Sequence, residues 1–125
     1  MVKRIEALAD GIIAYNGGLD PQHRFYKLRN PGGLRAFYPY QWQDSEGYRR
    51  YRSWGHGYQA LIQDLTFKCK GETKSGLTTE SPLLELNRVM GLKDESLRYI
   101  LKFIRLATDS EVSEETPISF FVEDF

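Results

Sequence analysis

The sequence predicts a mainly α domain, with about five helices around a small irregular or β-hairpin segment. Three observations lead there. Apolar residues recur at helical spacing in several stretches. Glycine and proline stand where those stripes stop. The middle third, residues 21–58, breaks the pattern and holds ten of the chain's seventeen aromatic side chains. At 125 residues the chain has the length of one domain, 1–125, built on one core.

Residues 2–16 form the first helix, because Ile5, Leu8, Ala9, Ile12 and Ile13 make one apolar stripe. Gly17-Gly18 ends it, since glycine takes the left-handed conformation that closes a helix C-terminus. Residues 19–33 are expected to be loop, set by Asp20-Pro21 and Asn30-Pro31-Gly32-Gly33. Residues 34–54 are expected as short extended pieces with a hairpin turn near Asp44–Gly47. The three-residue spacing of Tyr48, Tyr51 and Trp54 does not fit a regular strand.

Residues 57–70 return to helix on Tyr58, Leu61, Ile62, Leu65 and Cys69, with Gly71 as the stop. Ser81 then reads as an N-cap and Pro82 as a first helical residue, opening a helix to about Met90. Residues 94–108 carry the clearest stripe, through Leu97, Ile100, Leu101, Ile104 and Ala107, with Asp94 near the N-cap. Thr116-Pro117 starts a last short helix holding Ile118, Phe121 and Val122, and the acidic stretch 110–116 is linker-like.

Composition narrows the function. Lys plus Arg and Asp plus Glu are 17 each, so the chain has no overall charge with which to attract DNA or an anionic membrane. The charge is unevenly placed, however. Residues 21–58 hold seven basic and two acidic side chains, a local +5, and residues 59–125 hold eight basic and twelve acidic, a local −4. The longest apolar run is four residues, Ile12 to Tyr15, too short to span a bilayer. No secretory leader pattern is present, so the expected location is the cytoplasm by default, or delivery by a non-classical route. One cysteine gives no intrachain disulfide, and Cys69 on an apolar stripe reads as a buried thiol rather than a nucleophile. His23 and His56 are not at metal-ligand spacing, and no phosphate loop or dinucleotide fingerprint occurs, so no metal or cofactor is expected.

Two stretches stand out. Leu28–Arg35 contains Asn-Pro-Gly-Gly, a rigid turn in which proline fixes one dihedral and the glycines allow positive φ and close backbone approach. Arg29 and Arg35 flank it with two guanidinium forks. Tyr48–Tyr58 interleaves arginines with rings suited to stacking on sugars or on nucleobases. A plain turn with solvated arginines and ordinary packing of Tyr51, Trp54 and Tyr58 is the alternative for both.

The order of these pieces resembles the lysozyme-like superfamily of bacterial and phage peptidoglycan-degrading domains, relatives of lytic transglycosylases and virion-associated lytic proteins. That family's pattern is approximately Glu-Gly closing the first helix, then Arg-Asn-Asn-Asn-Pro-Gly-Asn-Leu-Arg, then Phe-x-x-Phe-x-Ser-x-x-x-Gly before the second helix. The matching stretches here are Tyr15–Gly17, Arg29–Arg35 and Tyr48–Leu65, with Ser96–Val122 fitting the tail. The resemblance implies an α+β lysozyme-like fold and a peptidoglycan-type glycan strand as partner. It also implies a groove between helix one and the Pro-Gly loop, lined by Arg29, Asn30, Arg35, Tyr38, Tyr51 and Trp54.

The catalytic glutamate of that family falls at Asn16. Glycoside cleavage needs a carboxylic acid with a raised pKa to protonate the leaving oxygen, and an amide does not titrate. The resemblance therefore implies binding with impaired or lost cleavage, unless another acid serves. Asp20 is the first fallback, and Asp44, Glu46, Glu6 and Asp10 are further off. The family's run of asparagines is also cut to Asn30, with Gly33 in place of its last one. Two other readings stay open: a nucleic-acid module using the Arg/aromatic segment 24–58, and a structural or protein-interaction domain without catalysis. The neutral total charge weighs against nucleic acid.

Overall fold

A computed structural model describes residues 3–123 and is mainly helical. The elements are α1 (Arg4–Asn16), α2 (Arg24–Lys27), α3 (Trp54–Cys69), α4 (Leu83–Val89), α5 (Asp94–Thr108) and a closing 3₁₀ turn (Ile118–Val122). The expected helix start at Val2 lies outside the described residues.

α1 is the hub, packing against α5, α3 and the 3₁₀ turn. Seven of its thirteen residues are buried: Ile5, Ala7, Leu8, Ala9, Gly11, Ile12 and Ile13. The apolar stripe read from the sequence is thus widened by Ala7 and Gly11, small enough to let neighbours approach, and the helix is enclosed on most sides. Leu61 and Leu65 of α3, Leu83 and Leu86 of α4, and Leu97, Ile100 and Ile104 of α5 complete one hydrophobic cluster with Ile118 and Phe121. Gly17 ends α1 at φ +88°, as its composition predicts, and its N–H returns to the Ile13 carbonyl. Cys69 is fully buried, and burial pushes its thiol up to about 12.

Several boundaries differ from expectation for local reasons. α2 falls inside the stretch expected as loop: the His23 ring accepts the Phe25 N–H and caps one short turn. α3 starts three residues early, at Trp54, because Ser53 is a working N-cap whose hydroxyl accepts the His56 N–H at 3.1 Å. Ser81 is not the cap of α4. Its hydroxyl instead accepts the Thr78 N–H, Pro82 takes the cap place, and the helix runs from Leu83 to Val89. Lys93 stands at the N-cap of α5, and Asp94 inside the first turn pairs with Arg88. The acidic stretch 110–116 is a strap: the carbonyls of Glu114 and Thr116 accept the N–H groups of Leu84 and Leu83. The last element is 3₁₀ rather than α.

The middle segment has no extended sheet among the described residues, only isolated bridges at Arg35–Tyr48 and Gln43–Arg49. Residues 47–51 run between two partners. The Arg49 N–H donates to Leu34, the Ala36 N–H to Gly47, and the Arg50 N–H to Trp42. The turn expected near Asp44–Gly47 is present, with the Gly47 N–H on the Asp44 carbonyl and both the Glu46 and Tyr48 N–H groups on Asp44 Oδ1.

The Pro-Gly loop seats on α3 through a close approach. A Cβ at Gly57 would come within 2.1 Å of the Arg29 carbonyl oxygen and 2.8 Å of Pro31 Cδ, so only glycine lets the loop lie against the helix.

Candidate functional site

A cleft of about 1090 Å³ opens beside the Asn-Pro-Gly-Gly bend. Tyr15 and Asn16 at the end of α1 form one end of its lining. Gly32 to Phe37 and the 48–51 segment form a wall, Ala60 to Lys68 of α3 a second, and Val89 to Ser96 a third.

Asn16 Oδ1 is buried and meets no donor. A buried amide oxygen left unpaired costs about 1–3 kcal/mol, so such atoms are rare in folded proteins and call for a specific cause. Among the described residues, the buried side-chain polar atoms without a partner belong to Asn16 and to Arg49, and both residues line this cleft.

Arg35 and Tyr51, both expected in the site, line the cleft. Arg35 donates to the Glu46 carbonyl at 2.7 Å and to the Tyr48 hydroxyl, and its guanidinium lies 4.3 Å from the Tyr48 ring centre. The guanidinium is thereby fixed in direction rather than waving in solvent. Burial raises the Tyr51 phenol above its usual range, so its hydroxyl stays neutral.

The other expected lining residues have different places. Asn30 is fully buried and acts as a brace: Nδ2 donates to the Leu34 and Arg49 carbonyls at 2.8 Å each, and Oδ1 accepts the Leu34 N–H at 2.9 Å. Arg29 does not line the cleft. It sits at φ +56° and donates to the Arg52 carbonyl at 3.0 Å, tying the loop to the start of α3. Trp54 turns inward, where its indole N–H reaches the Gly18 carbonyl at 3.1 Å and its ring stacks on Tyr58. Tyr38 lies at the exposed tip, stacked on Tyr40 at 5.3 Å and outside the cleft.

Asp20, the fallback acid, is exposed and outside the lining, closing its own turn on the Gln22 N–H. Asp44 and Glu46 are likewise outside, and Asp10 accepts the Tyr58 hydroxyl at 2.8 Å as a tie between α1 and α3. The acid that does line the cleft is Asp64, which sequence inspection passes over as one of many helix-surface charges. Both of its oxygens accept from Lys68 Nζ, at 2.6 and 2.7 Å. Its (i, i+4) spacing to Lys68 was the readable signal, but that pattern usually marks a solvated face. Against this one carboxylate the lining sets Arg35, Arg49, Lys68 and Lys93.

Chemically the cleft offers an amide, hydroxyls, aromatic edges and a net positive wall. It lacks the pair of carboxyl groups that glycoside cleavage ordinarily employs. No family of known proteins, no curated protein and no solved structure matches this chain.

Proposed function

We propose that this chain is a lysozyme-like domain that binds a peptidoglycan-type glycan strand in the cleft beside the Pro-Gly bend and has lost efficient cleavage. One observation carries the reading: the unpaired Oδ1 of Asn16 in the lining of that cleft. The oxygen accepts a hydrogen bond that the protein does not supply, and an acetamido N–H or a sugar hydroxyl is a fitting donor. At about 1090 Å³ the cleft lies just above the ordinary range for ligand sites, about 300–1,000 Å³, which suits several linked rings better than one. Tyr15, Phe25, Phe67 and Tyr51 give the aromatic edges that sugar faces pack on. Position 16 has an amide where the resemblance sets the proton donor, and Asp64, the one acid of the lining, is bound through both oxygens to Lys68.

The test is co-sedimentation with insoluble peptidoglycan, combined with an assay for released sugar. The unaltered protein is expected to sediment and release no soluble sugar, and Asn16→Leu to sediment several-fold less. Vigorous sugar release refutes the loss of cleavage, and absence of sedimentation refutes the glycan reading.

A further inference from the structure

The arginines divide into two groups. Seven of the ten give an N–H to an acceptor within the protein: Arg4, Arg24, Arg29, Arg35, Arg88, Arg98 and Arg105. Among the described residues, Arg49, Arg50 and Arg52 meet no side-chain acceptor, and no carboxylate pairs with them. All three line one small pocket, of about 560 Å³.

The pocket brings those arginines together with His56, Trp42 and Tyr51, and no Asp or Glu among the described residues lines it. Like charges brought together repel, and no carboxylate of the described residues offsets them there. Arg49 adds a further cost, because its Nε and Nη1 are enclosed without an acceptor. The rings hold the guanidinium groups in place: Arg50 lies 5.1 Å from the Trp42 ring centre and Arg49 5.1 Å from that of Tyr51. A guanidinium laid on a ring keeps its N–H edges free for an oxyanion. It also covers the ring face that a nucleobase would use, which favours a charged group over a stacked base.

The pocket adjoins the main cleft, since Arg49, Tyr51, Ala60 and Gln63 line both. A strand in the cleft therefore passes within reach of the arginine group. We propose that this pocket is an anion site that takes a carboxylate carried on the glycan strand, so that the domain selects acid-bearing over neutral strands. The source of the anion rests on the glycan reading of the main cleft, whereas the anion chemistry of the pocket does not.

The experiment compares two tetrasaccharides at low salt: neutral N-acetylglucosamine tetramer, and one in which alternate sugars carry a lactyl-ether carboxylate. The two tryptophans serve as paired NMR reporters, since Trp42 lies in the pocket and Trp54 outside it. The acidic tetrasaccharide is expected to bind at least tenfold tighter than the neutral one and to shift the Trp42 indole N–H but not that of Trp54. The R50Q/R52Q double variant is expected to bring the preference below twofold. Neither side chain makes a hydrogen bond that folding needs, so the variant keeps its structure. Equal affinity of the unaltered protein for the two sugars overturns the proposal.

If neither sugar binds, the reading of the main cleft fails, and inorganic phosphate then tests the pocket alone. A saturable Trp42 shift that R50Q/R52Q abolishes supports the oxyanion site, and no shift overturns it. Tighter binding of a single-stranded oligonucleotide than of the acidic tetrasaccharide overturns the glycan assignment in favour of nucleic acid.

Discussion

At the scale of single residues, Asn30 and Asn16 show how one side chain type takes opposite parts. Asn30 satisfies three hydrogen bonds inside the loop, whereas Asn16 Oδ1 satisfies none. A polar residue in a Pro-Gly turn reads as exposed, and only the coordinates reveal that its amide closes the 30–34 turn and grips the next segment. Asn30→Ala leaves the Arg49 carbonyl without its donor and the Leu34 N–H without its acceptor, while the Leu34 carbonyl keeps the Arg49 N–H, so it is expected to lower stability by about 2 kcal/mol, read in urea denaturation. A loss under about 0.5 kcal/mol, the range of ordinary surface changes, contradicts the bracing role. Arg49 points the other way. Replacing a half-buried guanidinium, two of whose nitrogens are enclosed without an acceptor, by an apolar chain of similar length relieves a penalty while its backbone bonds remain. Arg49→Met is expected to raise the melting temperature of the free protein, by about 2–6 °C for a gain near 1 kcal/mol, while weakening anion binding. A fall in melting temperature would contradict the uncompensated state.

At the scale of elements, α5 was the most legible because its apolar side chains keep a strict 3.6 period on one buried face and its acids sit in the first turn. The 34–51 region was legible only as turn chemistry. Its extended pieces are too short for alternation to declare itself, and single bridges hold it in place of a ladder. α2 was missed because four residues carry no period. The Asp44 turn gives this region a pH dependence. Burial pushes the Asp44 carboxyl upward, but the N–H groups of Tyr48 and Glu46, with Arg24 and Arg35 nearby, outweigh it, so the net shift is downward from 3.8. A lowered folded-state pKa means that the contribution is present above the ordinary carboxylate range and lost as pH falls below it. The amide resonances of Glu46 and Tyr48 are therefore expected to move as pH falls below the ordinary carboxylate range, and Asp44→Asn to abolish that movement while keeping the turn. Resonances that stay fixed through this range in the unaltered protein contradict the turn's dependence on the carboxylate.

At the scale of the whole molecule, the sequence pattern made the helical core readable because Ile, Leu and Phe obey periodicity. The site was readable only in outline. The resemblance in the Pro-Gly turn led to position 16, Arg35 and Tyr51, all of which line the cleft. Arg29, Trp54 and Tyr38 lie outside its lining, Arg29 and Trp54 held by the distant Arg52 and Gly18 carbonyls and Tyr38 stacked on Tyr40. The unpaired state of Arg49, Arg50 and Arg52 was beyond reach, since it is defined by where every acid of the chain ends up. The core makes a global prediction through Cys69, enclosed by α3 and its neighbours with its thiol pushed up to about 12. At pH 8 the native protein is expected to resist alkylation for hours, with modification tracking global unfolding in denaturant. Rapid modification of the folded protein contradicts an intact core around α3.

The account rests on the cleft beside the Asn-Pro-Gly-Gly bend holding a glycan strand against Asn16. Titration of isotopically labelled protein with peptidoglycan tetrasaccharide, followed by two-dimensional NMR, tests it most directly. Saturable shifts are expected in the Asn16 side-chain amide and in the backbone of Gly32–Arg35 and Tyr51, with little change on the outer face of α5 around Leu106. Shifts confined to other surfaces, or none at all, would contradict it.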